Sequence, residues 1–90
     1  MSIAGGWTEY STEITSDARN AFDDALKDRM GVTYEPLAVA EQTVAGKNYR
    51  FFCNAKTAVP HPINSAVIVC IEKPIEGPAV VTKIHVVIAD

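Results

Sequence analysis

An α+β domain, one helix packed on an antiparallel meander of four to five strands, is the fold class this 90-residue chain predicts. Three observations carry the prediction. Only residues 12–30 space their apolar side chains at threes and fours. Every later apolar run either alternates or is rich in Val and Ile, as strands prefer. The connections between those runs are short, so successive strands pair antiparallel.

Residues 1–10 hold Gly5-Gly6 and little periodicity, which predicts an arm rather than an element. In the helix the apolar set is Ile14, Ala18, Ala21, Phe22, Ala25, Leu26 and Met30, with Asp17, Arg19, Asp23, Asp24, Lys27 and Asp28 between them. Ser11 or Thr12 would cap its start, and Gly31 would stop it. Four strands follow. Residues 32–42 form the first, weakened near its start by Pro36. Residues 48–57 put Tyr49, Phe51, Cys53 and Ala55 on one face, with Arg50, Asn54 and Lys56 on the other. Residues 65–73 and 79–88 complete the sheet, and the turns fall at 44–47, 60–62 and 74–78. A helix of about 19 residues spans about 28 Å and a strand of about 9 residues roughly 30 Å, so each strand would run the length of the helix.

Composition narrows the function. Ninety residues make a single domain, 1–90, with a core just large enough to fold without staples. With 48% apolar and 21% charged residues the chain is not of the disordered class. A net charge of −3 gives no basic face for nucleic acid or an anionic membrane. No run is long and apolar enough to span a bilayer. The N-terminal residues lack a basic segment followed by an apolar one, so no signal peptide is read there. Two cysteines make no disulfide framework, and a reduced cytoplasmic protein is the expectation.

If the hairpin between them centres near His61 and Pro62, Cys53 and Cys70 oppose each other and face inward with Phe51 and Ile68. Two small buried hydrophobes are then expected in preference to a strained bridge. Val67, Val69 and Ile71 would face outward as an apolar stripe, a candidate self-association surface. Trp7 would pack over the start of the helix. His85 would face outward between inward Ile84 and Val86, leaving a Cys–His pair on opposite faces. With no Ser-His-Asp grouping, metal spacing or phosphate loop, the chain predicts neither an enzyme nor a metal or other cofactor.

The first turn is unusual. Hairpins favour Asn-Gly or Asp-Gly tips, yet here Glu41-Gln42-Thr43-Val44-Ala45-Gly46 joins two strands with a small apolar tip. In a meander this turn and the one at Pro74 lie at one end of the sheet, and the arm begins at that same end. Ile3-Ala4-Gly5, Thr43-Val44-Ala45 and Pro74-Ile75 would therefore meet on one edge, a wedge.

The order of arm, helix and strands, together with Gln42-Thr43-Val44-Ala45-Gly46, resembles the cystatins, inhibitors of papain-like cysteine proteases, and most closely the stefins, their short cytosolic branch. Gly5-Gly6 after Ile3-Ala4 fits the stefin-like arm. Glu72-Lys73-Pro74 stands where the family's second loop carries Pro-Trp, and Ile75 takes the place of the Trp. The resemblance implies reversible occlusion of a protease cleft, with Gln42–Gly46 and Pro74-Ile75 on the primed side and Ile3, Ala4 and Gly5 along the non-primed subsites. It also implies a monomer as the working form, with the Val44-Ala45 hairpin as the hinge of a swapped dimer. A second expectation, from another class, is a binding or scaffolding module of the same fold that no longer inhibits; the missing Trp motivates it.

Overall fold

The computed structural model describes residues 5–87. In chain order its elements are helix α1 (Ser16–Leu26) and strands β1 (Val32–Val44), β2 (Gly46–Thr57), β3 (Asn64–Pro74) and β4 (Val80–Val86). The strands form one open sheet in the order β1-β2-β3-β4, and all three pairings are antiparallel. The fold is α+β.

Alternation along β2 turns Tyr49, Phe51, Cys53 and Ala55 to the inner face, where they are buried with Val39, Val67, Val69 and Ile71. Helix α1 covers this face with Ala18, Ala21 and Phe22. The Phe22 ring meets Phe51 edge-on at 4.8 Å between centroids, a favoured aromatic geometry. Pro36 sits inside β1, and the register shifts between it and Ala38. A residue with no N–H to give the ladder is accommodated by letting Leu37 bulge out.

The helix is shorter than its apolar spacing predicts. It spans 11 residues, about 16 Å, so it cannot run the full length of the strands. Its cap is Thr15, whose hydroxyl accepts from the Ala18 N–H at 3.2 Å. Ser11 is committed elsewhere: its N–H and C=O both bond to Val39 at 2.9 Å. At the other end the chain turns after Leu26, with the Arg29 N–H donating to the Leu26 carbonyl, and Met30 is 92% exposed. Gly31 adopts φ +87° in the turn into β1 rather than capping α1 directly.

Residues 5–11 are not a free arm. The Thr8 N–H donates to the Glu41 carbonyl, and bridges link Trp7 with Gln42 and Ser11 with Val39. The segment shields the outer edge of β1. Trp7 does not lie over the helix. Its ring is on the opposite face of the sheet, under the Arg50 guanidinium at 3.9 Å.

The β2–β3 register corrects the cysteine expectation. Cys53 pairs with Val67, and Cys70 pairs with Arg50. Thr57 ties the loop to Ile63 through two bonds, its N–H donating to the Ile63 carbonyl and its hydroxyl accepting the Ile63 N–H. That centres the hairpin on Pro60 rather than at His61–Pro62. An odd slip in register moves every side chain to the other face. Val67, Val69 and Ile71 are therefore core residues, and Ile68 and Cys70 face outward. Cys53 and Cys70 lie on opposite faces, and neither is bridged. His85 is exposed opposite Ile68; Ile84 packs on the core, whereas Val86 is exposed.

Candidate functional site

The chain reverses between β1 and β2 through Ala45 alone. Thr43, Val44 and Ala45 are exposed, Val44 by 45%. Beside this tip, Gly46 pairs with Pro74 at the end of β3, which brings the loop after Pro74 against the hairpin. Ile75, at the tip of that loop, is 74% exposed. Gly5 completes the edge, its N–H donating to the Thr43 carbonyl at 3.2 Å. The edge thus unites Gly5, Gln42–Gly46 and Pro74-Ile75; Ile3 and Ala4 lie outside the described residues.

Gln42 is the linchpin. Its Nε2 donates to the Gly5 carbonyl at 2.7 Å, and its Oε1 accepts from Asn48 Nδ2 at 2.9 Å. One neutral amide joins the 5–11 segment, β1 and β2 without a charge to be desolvated at the edge. Below it, Lys47 Nζ bonds Glu41 Oε1 at 2.9 Å across the hairpin stem. That bond is the main reason the Lys47 ammonium is held above its ordinary pKa.

Gly46 is required on two counts. Its φ is +111°, a region L side chains rarely adopt. A Cβ there would also stand 2.5 Å from the Lys73 carbonyl oxygen. The second loop is pinned in turn by Lys73, whose Nζ donates to the carbonyls of Pro74 and Gly77, both at 2.9 Å. Its far end is held by the helix, where Asp24 Oδ2 accepts the Ala79 N–H at 3.0 Å. That bond first, and Lys27 second, lower the Asp24 pKa.

Asn48, Lys73 and Asp24 are positioning groups that the sequence did not single out. Asn48 follows the tip closely enough for its reach to Gln42 to be anticipated once the turn is fixed. Asp24 and Ala79 are 55 residues apart, so nothing local announces that bond.

Among its described residues the edge presents apolar tips and backbone. Among the described residues, no group of three or more His, Cys, Asp and Glu side chains is arranged to hold a metal ion. Cys53 is buried on the inner face, and burial raises its thiol pKa to about 12. Among the described residues no helix is long and apolar enough to cross a membrane. No protein-family model, no curated protein and no solved structure matches the chain.

Proposed function

We propose that this protein is a reversible, tight-binding inhibitor of papain-like cysteine proteases, built like a cystatin and most like a stefin. The edge formed by Gly5, Gln42–Gly46 and Pro74-Ile75 fills the protease cleft and covers its thiolate, and we assign Ile3 and Ala4, which precede it in the chain, as further contacts. The observation that carries this reading is the Gln42 bridge. It holds Gly5 to the apolar hairpin tip, while the Gly46–Pro74 pairing sets the second loop alongside. A pre-shaped edge loses little conformational freedom on docking, which favours tight binding from a small contact. Gly5 and Gly46 take positive φ, which the absence of a Cβ permits, and so leave bare backbone at both turns. The inhibitor performs no chemistry of its own, and a reduced, cytoplasmic setting suits its two unbridged cysteines.

A second reading has one specific observation in its favour. Ile75 presents a smaller face than the Trp found in the cystatins and offers no indole N–H, so the same edge could serve as a binding or scaffolding surface without effective inhibition. Titration of the purified chain against a panel of papain-like endopeptidases separates the two. The inhibitor reading expects reversible inhibition below micromolar concentration, weaker against exopeptidases whose clefts are partly occluded. No inhibition of any endopeptidase at micromolar concentration would defeat it and leave the scaffold.

A further inference from the structure

The sheet face turned away from α1 carries an open groove of about 610 Å³, within the range of small-molecule sites. Strand register explains its lining. Arg50, Cys70 and Lys83 stand in one row across β2, β3 and β4, and Ile68 and His85 stand in the next. Trp7 and Tyr10 from the 5–11 segment form one wall. The Arg50 guanidinium is held 3.9 Å from the Trp7 ring centroid, a cation–π contact that fixes its direction. Tyr10 and Arg50 line the same groove; burial raises the Tyr10 phenol pKa and the Arg50 charge acts the other way.

The charge here is anomalous for the molecule. The chain has 11 acidic residues against 8 basic, yet Arg50 and Lys83 make no ion pair among the described residues. Their backbones are two strand spacings apart, about 9.5 Å, with the small Cys70 side chain between them. Arg50 is held on the Trp7 side of that gap, so the long Lys83 stem is the one that reaches over Cys70 to share a single anionic head with it. Beside the gap, Ile68 offers an apolar floor. Glu72 also lines the groove, and it disfavours a second negative group on the same ligand.

We propose that this groove binds a small amphipathic carboxylate. Its head sits between Arg50 and Lys83, and its apolar body lies over Ile68 against Trp7 and Tyr10. None of the residues assigned to protease binding lines the groove, although Asn48, which supports Gln42, does, and the proposal does not depend on that assignment.

Trp7 is the sole tryptophan, so its emission reports on the groove directly. Decanoate, titrated into the full chain with calorimetry alongside, is expected to bind saturably at one site and to shift Trp7 emission. Decanol, which lacks the charge, should bind about tenfold more weakly or worse. Lys83→Met should weaken decanoate about tenfold with an unchanged circular-dichroism melt. Arg50→Met should do likewise by calorimetry, the readout its own effect on Trp7 emission does not disturb. Lys56→Met, on the same strand face but outside the groove, should bind decanoate as the native chain does. No saturable decanoate binding up to millimolar concentration would overturn the proposal. So would equal affinity for decanol, or equal weakening by Lys56→Met. Sedimentation showing a concentration-dependent dimer that excludes decanoate would assign the face to a second copy of the chain and overturn it too.

Discussion

Gly46 touches both loops of the edge, and the space it leaves is already spoken for. A methyl group there would meet backbone atoms of Lys73, Pro74 and Ile75, the nearest at 2.5 Å, on a residue whose φ of +111° already disfavours a side chain. Backbone atoms cannot swing aside as a side-chain end can. Gly46→Ala should therefore destabilise the fold by roughly 2–3 kcal/mol. For a domain of this size that lowers Tm by about 10–20 °C in a circular-dichroism melt. An unchanged melt would mean that the second loop yields freely and is not seated on Gly46. The cysteines make a second test at this scale. Cys53 is fully buried with its pKa raised to about 12, whereas Cys70 is partly exposed on the other face. Iodoacetamide under native conditions should add one label, at Cys70, because the thiolate is the reactive form. Oxidation should give no internal bridge. Two labels, or an intramolecular disulfide by mass spectrometry, would refute the register described above.

Among the elements, the 5–11 segment behaves as a partial fifth strand. Removing residues 1–5 breaks the Gly5 bonds to Thr43 and Gln42, which lie at the exposed edge, and should move Tm by no more than about 2 °C. Protease release should quicken. Removing residues 1–10 should cost far more, roughly 2–4 kcal/mol in urea unfolding. It deletes both Thr8 contacts with Glu41 and strips Trp7 from the outer face. Equal effects from the two truncations would show that the segment is an arm throughout. What could be read from the sequence follows the same divide. Strand identity was legible because alternation is local: the β2 residues Tyr49, Phe51, Cys53 and Ala55 do share the buried face. The convergence of Gly5, Gln42–Gly46 and Pro74-Ile75 was legible because turns in a meander alternate between its ends. Register was not legible, since it depends on Thr57 closing the distal loop onto Ile63. Nor were the helix ends, because the pairing of Ser11 with Val39 outbids its use as a cap. Trp7 escaped for a similar reason, its partner Arg50 being far along the chain.

At the scale of the whole molecule, a short helix and a four-stranded sheet carry two exposed apolar side chains, Val44 and Ile75, on neighbouring loops. The sheet and the Gln42, Lys73 and Asp24 bonds hold that edge in shape before any partner arrives. In the function proposed above, these loops together form one surface that enters a protease cleft. Dissociation rates from a single papain-like endopeptidase, compared for the native chain, Ile75→Trp and Val44→Asp, test it most directly. Trp at position 75 adds about 40–60 Å² of apolar contact, worth roughly 1–1.5 kcal/mol at ~25 cal/mol per Å². Release should then slow about five- to tenfold, with folding nearly unaffected because Ile75 lies outside the core. Val44→Asp would drive a charge into the centre of the contact and should abolish the complex while the melt stays unchanged. If the native chain forms no complex, or if Val44→Asp dissociates no faster than the native chain, the edge is not a protease-binding wedge.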